Sequence, residues 1–467
     1  MRIRLHDPTM NSTSFAATLA EPLPSGAPEP AIGTLAPPDA PPQPLIDRCG
    51  ADAPRQAATP GDDASAASTP DWRARVAVVA AGMCAFFTMY VTQGLLPTLQ
   101  GVFHASVAEL SLTITFTTLA VALAAPFSGS LSDRFGRKPV LLCSLAGLSL
   151  TTALAATAGS LHALLAWRLL EGLFIPGVFT ATVAYIGEEW PARAVPAVTA
   201  LYISGSVAGG FLGRFIAGMV TAHWDWQAAF VVLGAINAIF LLLIARGLPS
   251  SRRFRPSADL RASLAGLPPH LRNPKLLGTY AIGFGILFSQ VCTFTYVSFH
   301  LAAAPYSLDL RQLSLLFTVY LVGMLVTPLA GRLAWRFGQR RVFVAAVAMS
   351  GTGMLLTLLP TLPDIVLGLT LSSAGVFVAQ AMATSQVPAL ARQARSSAVG
   401  LYVMCYYLGG SFGAFAPSLV WEHAGWAGCV AVVLVMQGLI ALAAWTVWRP
   451  AAGDAGRSAS VQTPGAL

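Results

Sequence analysis

Three ionisable residues interrupt long apolar runs of this chain: Arg168 and Glu171, three apart, and Arg214. At a spacing of i, i+3 on a helix, Arg168 and Glu171 share one face and can pair. A charge inside a bilayer costs roughly 2.5–3.5 kcal/mol by insertion scales, so each needs a partner or water. Two readings stand side by side. The pair neutralises itself for structural reasons, or Glu171 is the carboxylate that changes charge when a carrier moves protons. Arg214 falls at a depth comparable to Arg168, counted at a rise of about 1.5 Å per residue. Glu171 is therefore expected to bridge both arginines; alternatively, the two cations attract an anionic or hydroxyl-rich solute.

A fourth charge of interest is Asp133, the one carboxylate in the cationic turn Gly129-Ser130-Leu131-Ser132-Asp133-Arg134-Phe135-Gly136-Arg137-Lys138. A local salt bridge suits it. Gly129 is expected to let two helices approach closely, and Gly136 to allow a tight reversal. Polar side chains in the apolar runs offer hydrogen bonds to a solute: Tyr90 and Gln93 ahead of Pro97, and Gln290, Thr293 and Tyr296 further on. Helix packing accounts for each of them as well. The run holding Tyr90 and Gln93 has no acidic residue, which argues against a cationic solute.

Other chemistries lack support. Gly409-Gly410-Ser411-Phe412-Gly413 matches the hydrolase pattern GxSxG, but it lies inside an apolar run with no strand before it, so the strand–turn–helix elbow is missing. There is no metal motif, phosphate loop or dinucleotide fingerprint. Of six cysteines, Cys84, Cys143, Cys292, Cys405 and Cys429 fall in apolar runs and Cys49 in the N-terminal region, with no CxxC pair. The sequence is not that of an enzyme, and no cofactor or metal is expected.

The elements that must hold these residues are membrane helices. The chain has 467 residues, 55% hydrophobic and 10% charged, with mean hydropathy +0.65. A soluble domain carries about 25% charged residues, so lipid is the solvent here. The net charge of +8 does not signal nucleic acid. Apart from Arg168, Arg214 and Arg311, every Lys and Arg lies in the tails or on one set of alternating loops, the positive-inside pattern. Twelve apolar spans follow, each near the roughly 20 residues needed to cross the hydrocarbon. They run 76–98, 110–131, 138–158, 162–186, 196–220 and 227–247, then 276–299, 312–334, 341–360, 364–388, 397–420 and 426–447. Residues 1–72 and 449–467 are expected to be disordered cytoplasmic tails, being rich in small and turn-forming residues. Residues 73–248 and 276–448 form two six-helix bundles joined by a cytoplasmic, arginine-rich linker, 249–275.

The halves are repeats. Pro126 to Val140 (PFSGSLSDRFGRKPV) recurs as Pro328 to Val342 (PLAGRLAWRFGQRRV), with Trp335 where Asp133 stood. Leu201 to Trp226 aligns without a gap on Leu401 to Trp426, matching Gly209, Gly210 and Gly213 to Gly409, Gly410 and Gly413. With Gly205, these glycines are expected to line helix faces and admit close neighbours.

On these motifs, over about 75–448, the chain resembles the major facilitator superfamily. Within it, LYISGSVAGGFLGR and LYVMCYYLGGSFGAF resemble the bacterial inner-membrane drug–proton antiporters and arabinose-efflux-like permeases. The resemblance implies an all-α fold of twelve transmembrane helices in two pseudo-symmetric six-helix bundles, and transport by alternating access. It also implies a cavity lined by helices one, four, seven and ten, Asp133 as a cytoplasmic gate, and Arg168 in proton coupling. Glu171 stands where the family usually has Gln. Gly210 and Arg214 replace the Pro and Gly of the antiporter signature in span five. The function expected is proton-coupled efflux of a drug or sugar-like solute. Import of an organic or anionic metabolite, and a transport-inactive sensor, stay open. The expected partners are the bilayer, a small molecule and protons, with no nucleic acid, in a monomeric protein of the bacterial inner membrane with both termini cytoplasmic.

Overall fold

A computed structural model describes residues 72–251, 267–391 and 395–448; the tails and most of the linker, including the disorder expected there, lie outside the described residues. Among the described residues there are helices and no strands. That is what lipid demands of long apolar runs, since a helix satisfies every backbone hydrogen bond within one segment.

The first span, Trp72–Phe103, is two helices, α1 (Trp72–Phe87) and α2 (Thr92–Phe103). Then come α3 (Val107–Phe135), α4 (Arg137–Ala155), α5 (Leu161–Glu189), α6 (Val195–His223) and α7 (Trp226–Gly247). A short α8 (Leu267–Leu271) precedes α9 (Pro274–Ala302). The next span is again broken, into α10 (Leu310–Leu316) and α11 (Val319–Phe337). The order closes with α12 (Gln339–Leu356), α13 (Leu362–Leu390), α14 (Arg395–Phe415) and α15 (Ser418–Val447). Among the described residues, eleven spans are long and apolar enough to cross a membrane. The twelfth, α12, is shorter and opens on Gln339-Arg340-Arg341; it occupies the place in the second half that α4 holds in the first. The expected spans 76–98 and 312–334 are thus longer than foreseen and interrupted, at 88–91 and 317–318.

Helix starts are set by side chains that accept from free backbone N–H groups. Ser106 and Glu109 form a capping box on α3, and Asp309 and Gln312 form one on α10. Ser160, Asp225, Asn273 and Thr361 cap α5, α7, α9 and α13. Each such cap stabilises its helix by about 1 kcal/mol. The basic turns use glycine instead. Gly136 (φ 98) separates α3 from α4, and Gly338 (φ 83) separates α11 from α12. Only glycine adopts such φ without strain, so both copies of the repeat reverse in one residue.

The halves repeat each other in packing. α1 lies on α6 as α9 lies on α14; α3 lies on α5 as α11 lies on α13; α4 contacts α5 and α7 as α12 contacts α13 and α15. Glycines make the tightest seams. A Cβ on Gly205, Gly209 or Gly213 would lie 2.4, 2.3 or 1.7 Å from the carbonyl oxygens of Val79, Met83 and Phe87. In the other half, one on Gly409 or Gly413 would lie 2.0 or 2.3 Å from those of Phe284 and Phe288. Gly210 and Gly410 face side chains instead, Arg214 with Phe86 and Leu287 with Val291. Gly425 (φ 53) kinks α15, so its membrane portion begins at Trp426, as α7 begins at Trp226.

Several contacts that join the halves lie away from the basic turns, at the far end. A Cβ on Gly218 of α6 would sit 1.6 Å from the Ser314 hydroxyl of α10. Arg311 donates to His223 at 3.2 Å, and the His223 Nδ1 faces the Met219 carbonyl at 2.7 Å. Thr115 donates to the Ser411 carbonyl (3.3 Å), and the Thr118 and Ser411 hydroxyls bond at 2.9 Å. At the opposite, cationic end, Trp335 is 92% exposed.

Candidate functional site

The break in the first span creates the site. α1 stops after 16 of the span's 32 residues, leaving backbone carbonyls without helical partners. Arg168 of α5 supplies them: its Nη2 donates to the carbonyls of Thr88 (3.1 Å) and Met89 (2.7 Å). Its Nη1 donates to Glu171, whose other oxygen accepts from Thr152 of α4 at 3.2 Å. Both residues are 0% exposed. The pair therefore sits inside the first bundle, clamped on the interruption of α1 and α2.

Arg214 of α6 lies on the other side of that interruption. Its Nε and Nη2 both donate to the Gln93 Oε1, at 3.1 and 2.9 Å, and its Nη1 to the Gly210 carbonyl. The guanidinium carbon lies 5.0 Å from the ring centre of Tyr90, 4.9 Å from Phe317 and 5.0 Å from Tyr320. Tyr90 comes from the first break and Phe317 from the second, and Tyr320 follows the second. The rings compensate the cation through their negative faces. No carboxylate among the described residues pairs with Arg214, which is 4% exposed. The expectation that Glu171 bridges both arginines is therefore corrected: Glu171 is committed to Arg168 and Thr152, while Gln93 and three aromatic rings hold Arg214.

Gln93 extends the cluster into the second half, donating to Thr295 of α9 at 3.1 Å. Gln290, earlier on α9, lies near Tyr320, and its Nε2 is buried with no partner. Half-buried Tyr406 of α14 stands within electrostatic range of Tyr90 and Tyr320 and stacks on Tyr402 at 6.1 Å. Residues of both halves thus converge on one guanidinium. Thr293 and Tyr296 do not join them. Thr293 bonds the Ser289 carbonyl and the Met354 sulfur, and Tyr296 donates to the Ala414 carbonyl at 2.7 Å; both knit the second bundle.

The cationic turn forms a separate network. Arg137 grips Glu188, at the end of α5, through Nε (3.0 Å) and Nη2 (2.6 Å), and donates from Nη1 to Asp133 and to Ser132 (3.2 Å). Lys138 donates to the carbonyls of Ala245 (2.9 Å) and Leu248, closing the C-terminus of α7. Arg134 stacks on Phe135. Asp133 thus pairs within its own half. Gly129 has no atom within 4 Å of where its Cβ would be. The close helix approach expected there is absent.

Three participants escaped the sequence reading: Phe317 and Tyr320, which cage Arg214, and Glu188, which completes the turn network. An unneutralised intramembrane arginine was the available signal for the cage, since it calls for rings where carboxylates are lacking.

A family model described as Major Facilitator Superfamily matches residues 78–307 and 286–465. The inner membrane transport protein YnfM of Escherichia coli (strain K12) is 32% identical over 370 residues, covering 79% of this chain and 89% of that protein. YybF of Bacillus subtilis (strain 168), described as an uncharacterized MFS-type transporter, is 32% identical over 370 residues, covering 78% and 91%. Among solved structures, the partially occluded, inward-open xylose transporter XylE from E. coli aligns with a TM-score of 0.64 over 80% of this chain and 97% of that one. At 15% identity, that likeness is one of fold.

Proposed function

The chain belongs to the major facilitator superfamily, and from that premise we propose that it moves a small organic solute outward across the bacterial inner membrane, in exchange for protons, by alternating access. It is a multi-pass membrane transporter and not an enzyme. The observation that carries the finer reading is the convergence of both halves on Arg214, between two broken spans, in a conformation joined at the far end. Broken helices at the interface of repeats mark solute sites in carriers of this kind. The positive-inside rule supports reading the basic turns and both tails as cytoplasmic.

Glu171 is the proton-coupling group in this reading, with Arg168 as its mechanical link. An ionised Glu171 holds Arg168, and Arg168 holds the carbonyls of Thr88 and Met89. Protonation removes the charge that fixes the guanidinium and so frees the interruption between α1 and α2 to rearrange. Tyr90 and Gln93, carried on that interruption, would then shift against Arg214. Asp133, with Arg137 and Glu188, acts as the cytoplasmic gate, and Gln290 contacts solute. Thr293 and Tyr296 keep a structural part.

The test uses everted membrane vesicles loaded by an imposed pH gradient. Export predicts gradient-driven solute uptake into wild-type vesicles, and uptake indifferent to the gradient in Glu171→Gln, which keeps the hydrogen bonds to Arg168 and Thr152. Gradient-driven uptake in right-side-out vesicles would establish import instead. Wild-type gradient dependence in Glu171→Gln would remove the residue from coupling.

A further inference from the structure

Arg214 makes three hydrogen bonds to protein atoms, two from Nε and Nη2 to Gln93 and one from Nη1 to Gly210. A guanidinium has five N–H donors. One N–H on Nη1 and one on Nη2 are left, in a residue 4% exposed. A buried donor without an acceptor is costly, and a buried cation without an anion more so. Gln290 of α9, near Tyr320, is only 8% exposed, and its Nε2 has no partner. Tyr320 in turn lies over the guanidinium, 5.0 Å from ring centre to guanidinium carbon.

The unmet needs are all of one kind. Two guanidinium N–H groups and one amide group seek acceptors, and a positive charge seeks a negative one. A carboxylate has two acceptor oxygens and a fork geometry matched to guanidinium, which a hydroxyl-rich neutral solute lacks. The walls around the donors are the rings of Tyr90, Phe317 and Tyr320, with Tyr406 beyond. Rings favour offset stacking against other flat, apolar groups.

We infer that Arg214, Gln290 and the rings of Tyr90, Phe317 and Tyr320 form the solute site, and that the solute is a planar organic monocarboxylate. Its carboxylate takes the two free N–H groups of Arg214 and the Nε2 of Gln290, and its ring lies among the aromatic side chains. The assignment rests on the transporter reading above and names the substrate class of that same site. It also gives the second break a purpose. Phe317 and Tyr320 belong to the second half and Tyr90 and Gln93 to the first, so a solute bound here touches both halves, and both must part for it to leave.

The experiment is thermal unfolding of the purified full-length protein with benzoate as probe. Benzamide, its neutral isostere, and benzylamine serve as controls. A ligand that binds the native state raises the midpoint by mass action. Benzoate is expected to raise it in a saturable way, and the two controls to leave it in place. Arg214→Lys keeps a cation but loses the fork, and should weaken benzoate roughly thirtyfold or more, as truncation of a buried charge partner does. Gln290→Leu should weaken benzoate while leaving the protein's unliganded midpoint near wild type. Equal stabilisation by benzamide overturns the assignment, as does undiminished benzoate binding in Arg214→Lys. So does a panel of benzoate, 4-hydroxybenzoate and salicylate in which none shifts the midpoint. Gradient-driven flux of a neutral or cationic solute would overturn the substrate class and leave the transporter reading standing. Benzoate binding without flux of any solute would do the reverse.

Discussion

Removing either member of the Arg168–Glu171 pair tests whether the pair holds the first span together. Both side chains are 0% exposed, so neither can recover water when its partner goes. Breaking a buried ion pair from one side costs about 3–5 kcal/mol, because a charge is left uncompensated. Glu171→Met should cost that much: Arg168 keeps the carbonyls of Thr88 and Met89 but loses its counter-charge. Arg168→Met should cost more. It strands Glu171 with only Thr152, and it leaves the buried Met89 carbonyl unbonded at a cost of roughly 1–3 kcal/mol, while the Thr88 carbonyl keeps the Val91 N–H at 3.2 Å. The double variant Arg168→Met, Glu171→Met has no charge to strand, so only the carbonyl cost remains. It should be more stable than Arg168→Met alone, and the two single effects should overestimate the double by about 6–10 kcal/mol, twice the one-sided cost of a stranded charge. Unfolding titrations in mixed detergent, followed by tryptophan fluorescence, give the four corners of the cycle. Additivity within about 0.5 kcal/mol would refute the reasoning, for it would mean that the two residues do not sense each other.

Other outcomes follow from the same geometry. Gly213→Ala places a methyl group 1.7 Å from the Phe87 carbonyl, a backbone atom that cannot turn away, and should cost about 1–3 kcal/mol. Gly438→Ala, with nothing within 4 Å, should be neutral or gain up to about 1 kcal/mol from helix propensity; equal unfolding midpoints for the two variants would discount the seam between α1 and α6. Asp133→Asn should change stability by less than about 1 kcal/mol, because Asp133 is 39% exposed and Arg137 keeps Glu188. Its solute flux in proteoliposomes should nevertheless fall, and unchanged flux would withdraw Asp133 from the gate.

The membrane helices were legible because an apolar run near 20 residues has one stable form in lipid. The duplication was legible because glycine is needed at the same two kinds of place in each half. One is the positive-φ reversal at Gly136 and Gly338, and the other is the carbonyl-contact seam at Gly213 and Gly413. The interruptions at 88–91 and 317–318 were not legible. Those segments are as apolar as their neighbours, and the side chain that satisfies the first break comes from Arg168, 80 residues from Thr88. The Arg168–Glu171 contact was readable from its spacing alone, whereas the surroundings of Arg214 were not. Two of its three rings, Phe317 and Tyr320, lie in the other half of the chain, and aromatic residues in a membrane span carry no mark that distinguishes a cage from ordinary packing. Gly129 shows the opposite error: a small residue beside a turn was assigned a neighbour that this conformation does not give it.

Alternating access requires the halves to part at one end as they meet at the other. Spin labels at Phe135 and Phe337, exposed at equivalent places of the two cationic turns, and at exposed Gly101 and Ala303 near the far end, would report both distances in proteoliposomes. On acidification or addition of a transported solute, the cationic-end distance should shorten in the same molecules whose far-end distance lengthens. Single distances at both ends, unmoved by either treatment, would contradict a carrier built from two rocking halves.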